Sequence, residues 1–210
     1  MLRQCSAWLA AAALAHWTGA ATATPAPVLL VVGDSLSAEY GLAQGSGWVA
    51  LLAERLARRH PGWRVVNASI SGDTTAGGRS RLAALLAEHR PRLVVIELGA
   101  NDALRGLPLA ATAANLDAMT AAAQASGAKV LLVGMQIPPN YGRRYADEFA
   151  ALFAKVAQAR RAALVPFLLA GVADGPETET LFQDDRIHPK AEAHPRMLDN
   201  VWPVLEPLLR

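Results

Sequence analysis

Five times between residues 28 and 169 the chain passes through a short apolar run. Val28-Leu29-Leu30-Val31-Val32 closes at Gly33. Residues 64–68 centre on Val65-Val66. Residues 92–98 carry Leu93-Val94-Val95-Ile96 and close at Gly99. Val130-Leu131-Leu132-Val133 closes at Gly134, and Pro166 interrupts a weaker run over 164–169. A strand with one wet face alternates apolar and polar residues; continuous runs of this length fit strands buried on both faces of a parallel sheet. Stretches with helical spacing separate the runs: 48–60 (Trp48, Leu51, Leu52, Leu56), 79–89 (Leu82, Leu85, Leu86), 111–126 with Gly127 as a stop, 144–161, and 191–209, bent or broken near Pro195 and Pro203. Strand-helix alternation with right-handed crossovers predicts one parallel sheet of five strands between two helical layers, an α/β/α sandwich. In such sheets ligands bind beyond the carboxyl ends of the strands. Chemistry is therefore expected after Val32, Ala68, Leu98 and Gly134.

The chain has 210 residues, enough for one domain with a sizeable core. Its 20 cationic and 18 acidic side chains nearly balance, and its arginines form pairs (Arg58-Arg59, Arg143-Arg144, Arg160-Arg161) without longer basic runs. A nucleic-acid partner is not expected. Arg3, the apolar residues 7–15 and Ala21-Thr22-Ala23 follow the three-part pattern of a cleaved export signal. The apolar part is too short to span ~30 Å of hydrocarbon, so no stable membrane anchor is expected. Residues 1–23 are read as signal peptide and 24–210 as one domain, periplasmic or secreted and monomeric. The single cysteine, Cys5, precedes the apolar stretch, which excludes a lipid-attachment role and leaves the mature chain without thiol, disulfide or cysteine-based metal site. No metal and no cofactor are expected; His60, His89 and His194 lack metal-ligand spacing and read as helix-end or surface residues.

Three of the four expected strand ends carry polar motifs: Gly33-Asp34-Ser35-Leu36, then Ser69-Ile70-Ser71-Gly72-Asp73, then Gly99-Ala100-Asn101-Asp102. Before the last helix lies Asp184-Asp185-Arg186-Ile187-His188-Pro189. Acyl transfer needs a nucleophile, a base, a group that orients the base, and donors for the oxyanion. Ser35 sits on a strand-to-helix turn where its hydroxyl can project from the sheet edge. Imidazole changes charge near neutral pH, which suits His188 as the base. Asp185, three residues earlier, can reach its Nδ1. The N–H groups of Ser35 and Gly72 and the amide of Asn101 can converge as oxyanion donors.

These four blocks, in this order, resemble the SGNH (GDSL) hydrolase family. The wider stretches 66–74, 97–106 and 138–145 are similar to its periplasmic bacterial thioesterase, lysophospholipase and arylesterase subgroup, and the resemblance covers essentially the whole mature chain. It implies a flavodoxin-like strand order. It also implies Ser35, Asp185 and His188 as the catalytic triad, Ser35, Gly72 and Asn101 as the oxyanion hole, and a loop at 103–108 that moves over a bound acyl chain. Leu104, Leu107 and Leu109 are expected to line an acyl groove. The implied function is a serine esterase or thioesterase acting through an acyl-enzyme on small acyl substrates: acyl thioesters, aryl esters or lysophospholipids. Carbohydrate O-acetylesterase activity is the alternative, and a silent ligand-binding module the non-enzymatic one. Arg186 departs from relatives that carry Gly between the two triad members, and Ala100 from those with Gly beside Asn101.

Each motif also has a plain reading. Ser35 alone fits a helix N-cap, Gly72 a turn, Asn101-Asp102 a helix cap or Asx-turn, and Asp185 with Pro189 a capped helix start. Asp34 reads as a structural hydrogen-bonder in its turn and Asp184 as a solvated neighbour of Asp185. The triplet Asn67-Ala68-Ser69 reads as a chance match to a glycosylation site. Trp48, Trp63 and Trp202 read as core or rim. The four plain readings would have to coincide at one sheet edge, which favours the hydrolase.

Overall fold

A computed structural model describes residues 25–210. The export-signal reading of 1–23 and Cys5 lie outside the described residues. Five parallel strands, β1 (Val28–Gly33), β2 (Arg64–Asn67), β3 (Leu93–Glu97), β4 (Lys129–Val133) and β5 (Ala163–Val165), form one sheet in the order β2-β1-β3-β4-β5. This is the doubly wound, flavodoxin-like order. The strands are joined by α1 (Trp48–Arg59), α2 (Thr75–His89), α3 (Ala100–Leu104), α4 (Leu109–Ala125) and α5 (Arg143–Arg160); α6 (Thr178–Leu181) and α7 (His194–Leu205) follow. Helices α1 and α7 pack against each other, and α4 packs between α2 and α5, which makes the two outer layers.

The unbroken apolar runs have the predicted consequence in the middle of the sheet. Every residue of β1 and β3 is buried, as are Val130 to Val133 of β4. At the edges it fails: β2 is half-exposed, and β5 ends before Pro166, which has no N–H to extend the ladder. Trp48, Phe149 and Phe153 complete the core, the two phenylalanine rings meeting edge-on at 5.3 Å.

Helix α2 begins at Thr75, four residues before the expected start at Arg79. Gly77 and Gly78 discourage a helix by propensity. The Thr74 hydroxyl nevertheless accepts the Gly77 N–H at 3.2 Å as an N-cap, and the space where a side chain at 78 would sit is filled by Leu98. The short helix α3 was unexpected as such, although its residues read as a cap. His194 corrects another expectation. It starts α7, but it is buried, and its Nδ1 accepts the Trp48 N–H at 3.0 Å, capping α1 from 146 residues away. Among the described residues no helix is long and apolar enough to cross a membrane.

Candidate active site

The carboxyl ends of β1 and β3 lie side by side, with Gly33 in register with Glu97. Just past Gly33 the chain tightens into a turn in which the Asp34 carbonyl accepts the N–H groups of Ser37 (3.2 Å) and Ala38 (2.9 Å). Asp34 and Ser37 are buried, while Ser35 between them is partly open. The turn is tied to its neighbours. The Asn67 side chain donates to the Ser37 carbonyl at 2.7 Å, and the Ser37 hydroxyl bonds the Glu97 carboxyl at 2.7 Å. The residue set aside as part of a chance triplet therefore anchors this turn.

The second component lies on the loop between α6 and α7. An isolated antiparallel bridge, Phe182 to Pro189, closes the loop, and the Gln183 N–H donates to the His188 carbonyl at 2.8 Å. Asp185 accepts the N–H groups of Ile187 (2.9 Å) and His188 (3.0 Å) on Oδ1, and its Oδ2 meets His188 Nδ1 at 2.6 Å. Burial alone would raise the Asp185 carboxyl; the donors from His188 and Ile187 outweigh it and bring it down to about 2. His188 Nε2 stands 2.8 Å from Ser35 Oγ. The three residues, 153 positions apart at the extremes, thus form one continuous hydrogen-bonded line. The Tyr40 ring packs on the imidazole with centroids 4.3 Å apart, and the Gln183 amide donates to the Tyr40 carbonyl at 3.0 Å, linking the two components.

The three expected oxyanion donors are placed by three different elements. Gly99, at φ +125°, turns the chain out of β3 and starts α3, whose first turn carries Asn101. Asn101 Nδ2 donates one hydrogen to Asp34 Oδ2 at 3.1 Å, which leaves its second amide hydrogen free. Gly72 sits in the turn after β2 at φ +78°, its carbonyl accepting from Arg105 at 2.8 Å. The N–H groups of Ser35 and Gly72 have no hydrogen-bond partner among the described residues. Asp102, read as a cap, caps a different helix from its own: its carboxylate accepts the Thr75 N–H at 2.8 Å, so α3 and α2 hold each other.

A cleft of about 890 Å³ opens over Ser35, Asn101, Asp185 and His188. Its apolar wall includes Leu104, Met135, Ile137, Phe182 and Ile187. Of the three leucines expected in an acyl groove, Leu104 lines the cleft. Leu107 and Leu109 are not among its lining residues: Leu107 points to solvent and Leu109 packs on the core. Arg186 lines the cleft and holds a left-handed backbone at φ +57° between the two triad candidates.

The profile of the GDSL-like lipase/acylhydrolase family matches residues 31–196. The chain belongs to this family. It is 56% identical to the esterase TesA of Pseudomonas aeruginosa over 88% of its length and 90% of the relative's. It is 46% identical to an arylesterase of Vibrio mimicus, covering 80% of this chain and 82% of the relative. It is 41% identical to the thioesterase 1/protease 1/lysophospholipase L1 of Escherichia coli K12, covering 89% and 87%. A crystal structure of TesA superposes with a TM-score of 0.82 over 86% of this chain and 99% of that one. The protein is an enzyme, an ester hydrolase of the GDSL type.

Proposed function

We propose that Ser35 is the nucleophile of this hydrolase, His188 its general base and acid, and Asp185 the group that orients and charges the imidazole. The observation that carries the reading is the line Asp185–His188–Ser35, at 2.6 and 2.8 Å, opening into the cleft. Ser35 Oγ attacks the substrate carbonyl as its proton passes to His188 Nε2. The free hydrogen of the Asn101 amide, with the unengaged N–H groups of Ser35 and Gly72, stabilises the oxyanion. Collapse of the tetrahedral intermediate expels the alcohol or thiol, which takes the proton from His188. Water, activated by the same imidazole, then releases the acid from the acyl-enzyme.

The substrates we infer are esters and thioesters with extended acyl chains: acyl thioesters, aryl esters and lysophospholipids. The size and apolar wall of the cleft support this. So does the distribution of surface apolar groups. Among the described residues the large apolar side chains that stay exposed are Tyr40, Ile70, Leu107, Tyr141 and Ile187. Tyr141 and Ile187 line the cleft and Tyr40 packs on His188 beside it, as a face that meets amphiphiles requires. An O-acetylesterase of carbohydrates would not need that rim. A series of p-nitrophenyl esters from acetyl to palmitoyl, run beside acetylated sugars, separates the two. Rising kcat/KM with chain length is expected, with activity lost in Ser35→Ala; a preference for acetylated sugars would overturn the lipid reading.

We further propose that residues 1–23 are removed on export and that residues 24–210 work in the periplasm or outside the cell. The signal pattern at Arg3, residues 7–15 and Ala21 to Ala23 supports this. N-terminal sequencing of exported protein should begin near residue 24; an N-terminus at Met1 in the exported fraction would refute cleavage.

A further inference from the structure

The nucleophile turn rests on a second carboxyl that the reaction above does not use. Glu97, the last residue of β3, is fully buried. Its Oε2 is 2.7 Å from the Ser37 hydroxyl and 3.4 Å from the Asp34 N–H, and its Oε1 has no partner. Gly33 makes room for it, since a Cβ there would lie 2.8 Å from Glu97 Oε2 and 2.7 Å from Ser37 Oγ. Asp34 shares the same dry space, with its own donors: the Leu36 N–H at 3.0 Å and the Asn101 amide at 3.1 Å. Among the described residues no lysine, arginine or histidine forms an ion pair with either acid.

Two carboxylates cannot both ionise in such a place without a cation. The donor sets decide which one does. Asp34 has a backbone N–H and a side-chain amide at good distances, and the His188 charge also favours its ionised form; Glu97 has one hydroxyl and one long N–H. We propose that Glu97 is held as a neutral carboxylic acid beneath Ser35, a positioning residue that braces the nucleophile turn while leaving the negative charge on Asp34, which in turn aims the Asn101 amide. As the acid, Glu97 shares the 2.7 Å hydrogen bond with the Ser37 hydroxyl, a group that can donate or accept. Burial, and then the charge on Asp34, hold the Glu97 proton well above the usual carboxylate range. The other charged groups acting on the pair are His188, from the loop before α7, and Asp73, from the turn after β2; both act on Asp34.

The inference uses the assignment of Ser35 and Asn101 made above, so its first test is independent of activity. In enzyme labelled with carbon-13 at the glutamate carboxyls, one resonance should keep the chemical shift of a protonated acid at neutral pH. Glu97 is the one glutamate that is buried among the described residues. If every glutamate carboxyl has titrated below neutral pH, the proposal is wrong whatever Ser35 does. The second test is kinetic. Glu97→Ala should lower kcat by on the order of tenfold or more through misplacement of the turn. Glu97→Gln, which keeps one donor and one acceptor, should restore most of it and leave the acid limb of kcat/KM where the wild type has it. An acid limb displaced to lower pH in Glu97→Gln would mean that a negative charge beside Asp34 had been removed, and would overturn the proposal. If Glu97→Gln does not fold, the wild-type titration decides alone.

Discussion

The two halves of the proposed reaction centre are built differently. The nucleophile side grows out of the middle of the sheet: β1 and β3 are buried throughout, Asp34, Ser37 and Glu97 are buried with them, and Asn67, Glu97 and Asn101 each hold the turn from a different segment. The base side is a surface loop. Asp184, Asp185, Arg186 and Ile187 are exposed, and the loop hangs on one bridge and the hydrogen bonds of Gln183. Oxyanion stabilisation depends on donors that need not reorganise during reaction; in the proposed mechanism the packed half supplies those of Ser35 and Asn101, and the third comes from Gly72 on an exposed turn. Proton transfer needs an imidazole at the right distance, and a loop with a short internal carboxylate can provide that while leaving the cleft accessible.

On this division, damage on the packed side should fall on turnover, and damage to the residues that brace the loop, His188 and Asp185 themselves apart, should be milder. Asn101→Ala removes a donor from a rigid site. It should cut kcat by about 10²–10³ with little change in KM, measured on a long-chain p-nitrophenyl ester; a change confined to KM would break the comparison. Asp34→Asn keeps the shape but weakens the hold on the Asn101 amide, and should lower kcat roughly tenfold.

The same variant has a pH signature. Burial, against the opposing pull of the Leu36 N–H, the His188 charge and Asn101, pushes the Asp34 carboxyl from 3.8 up to about 6. An acid whose folded-state value is raised contributes stability that is complete below about pH 4 and is lost as pH rises through about 6. Asp34→Asn lacks that loss. Its melting temperature relative to wild type should therefore increase across this interval and level off above it. A constant difference would show that Asp34 is not strained by burial.

On the loop side, Gln183→Ala removes the amide bonds to the carbonyls of Tyr40 and Pro189. It should lower kcat/KM a few-fold and stability by about 1 kcal/mol. The smallest effect is expected at Arg186. A non-glycine residue in the left-handed region costs on the order of 1 kcal/mol. Part of the relief in Arg186→Gly is offset by the freer unfolded chain. A net gain of about 0.5 kcal/mol or less should appear in thermal melts, and a loss would mean that the guanidinium makes a stabilising contact.

The same contrast explains what was readable in advance. Runs such as residues 28–32 and 93–96 are apolar because both faces are covered, so the central strands, their order and the positions of Ser35 and Asn101 follow from pattern and family resemblance. Asp185 and His188 were legible because three residues on one turn bring a carboxylate to an imidazole. Glu97 and Asn67 were not. A single acid at the end of an apolar strand looks like a boundary residue until register puts it under Gly33. An asparagine at an edge strand gives no sign that its amide will reach the Ser37 carbonyl. His194 was missed for the same reason, since its partner is the first turn of α1. Leu107 and Leu109 read as groove residues because they are apolar. The short helix α3 instead turns Leu104 inward, leaving Leu107 outside and Leu109 on the core.

The most direct test of the hydrogen-bonded line is chemical. Purified enzyme treated with a fluorophosphonate probe and digested should yield one modified peptide, the one that contains Ser35, and substitution of His188 by Ala should slow its appearance severely. Modification at another serine, or labelling undiminished in Ser35→Ala, would contradict the account.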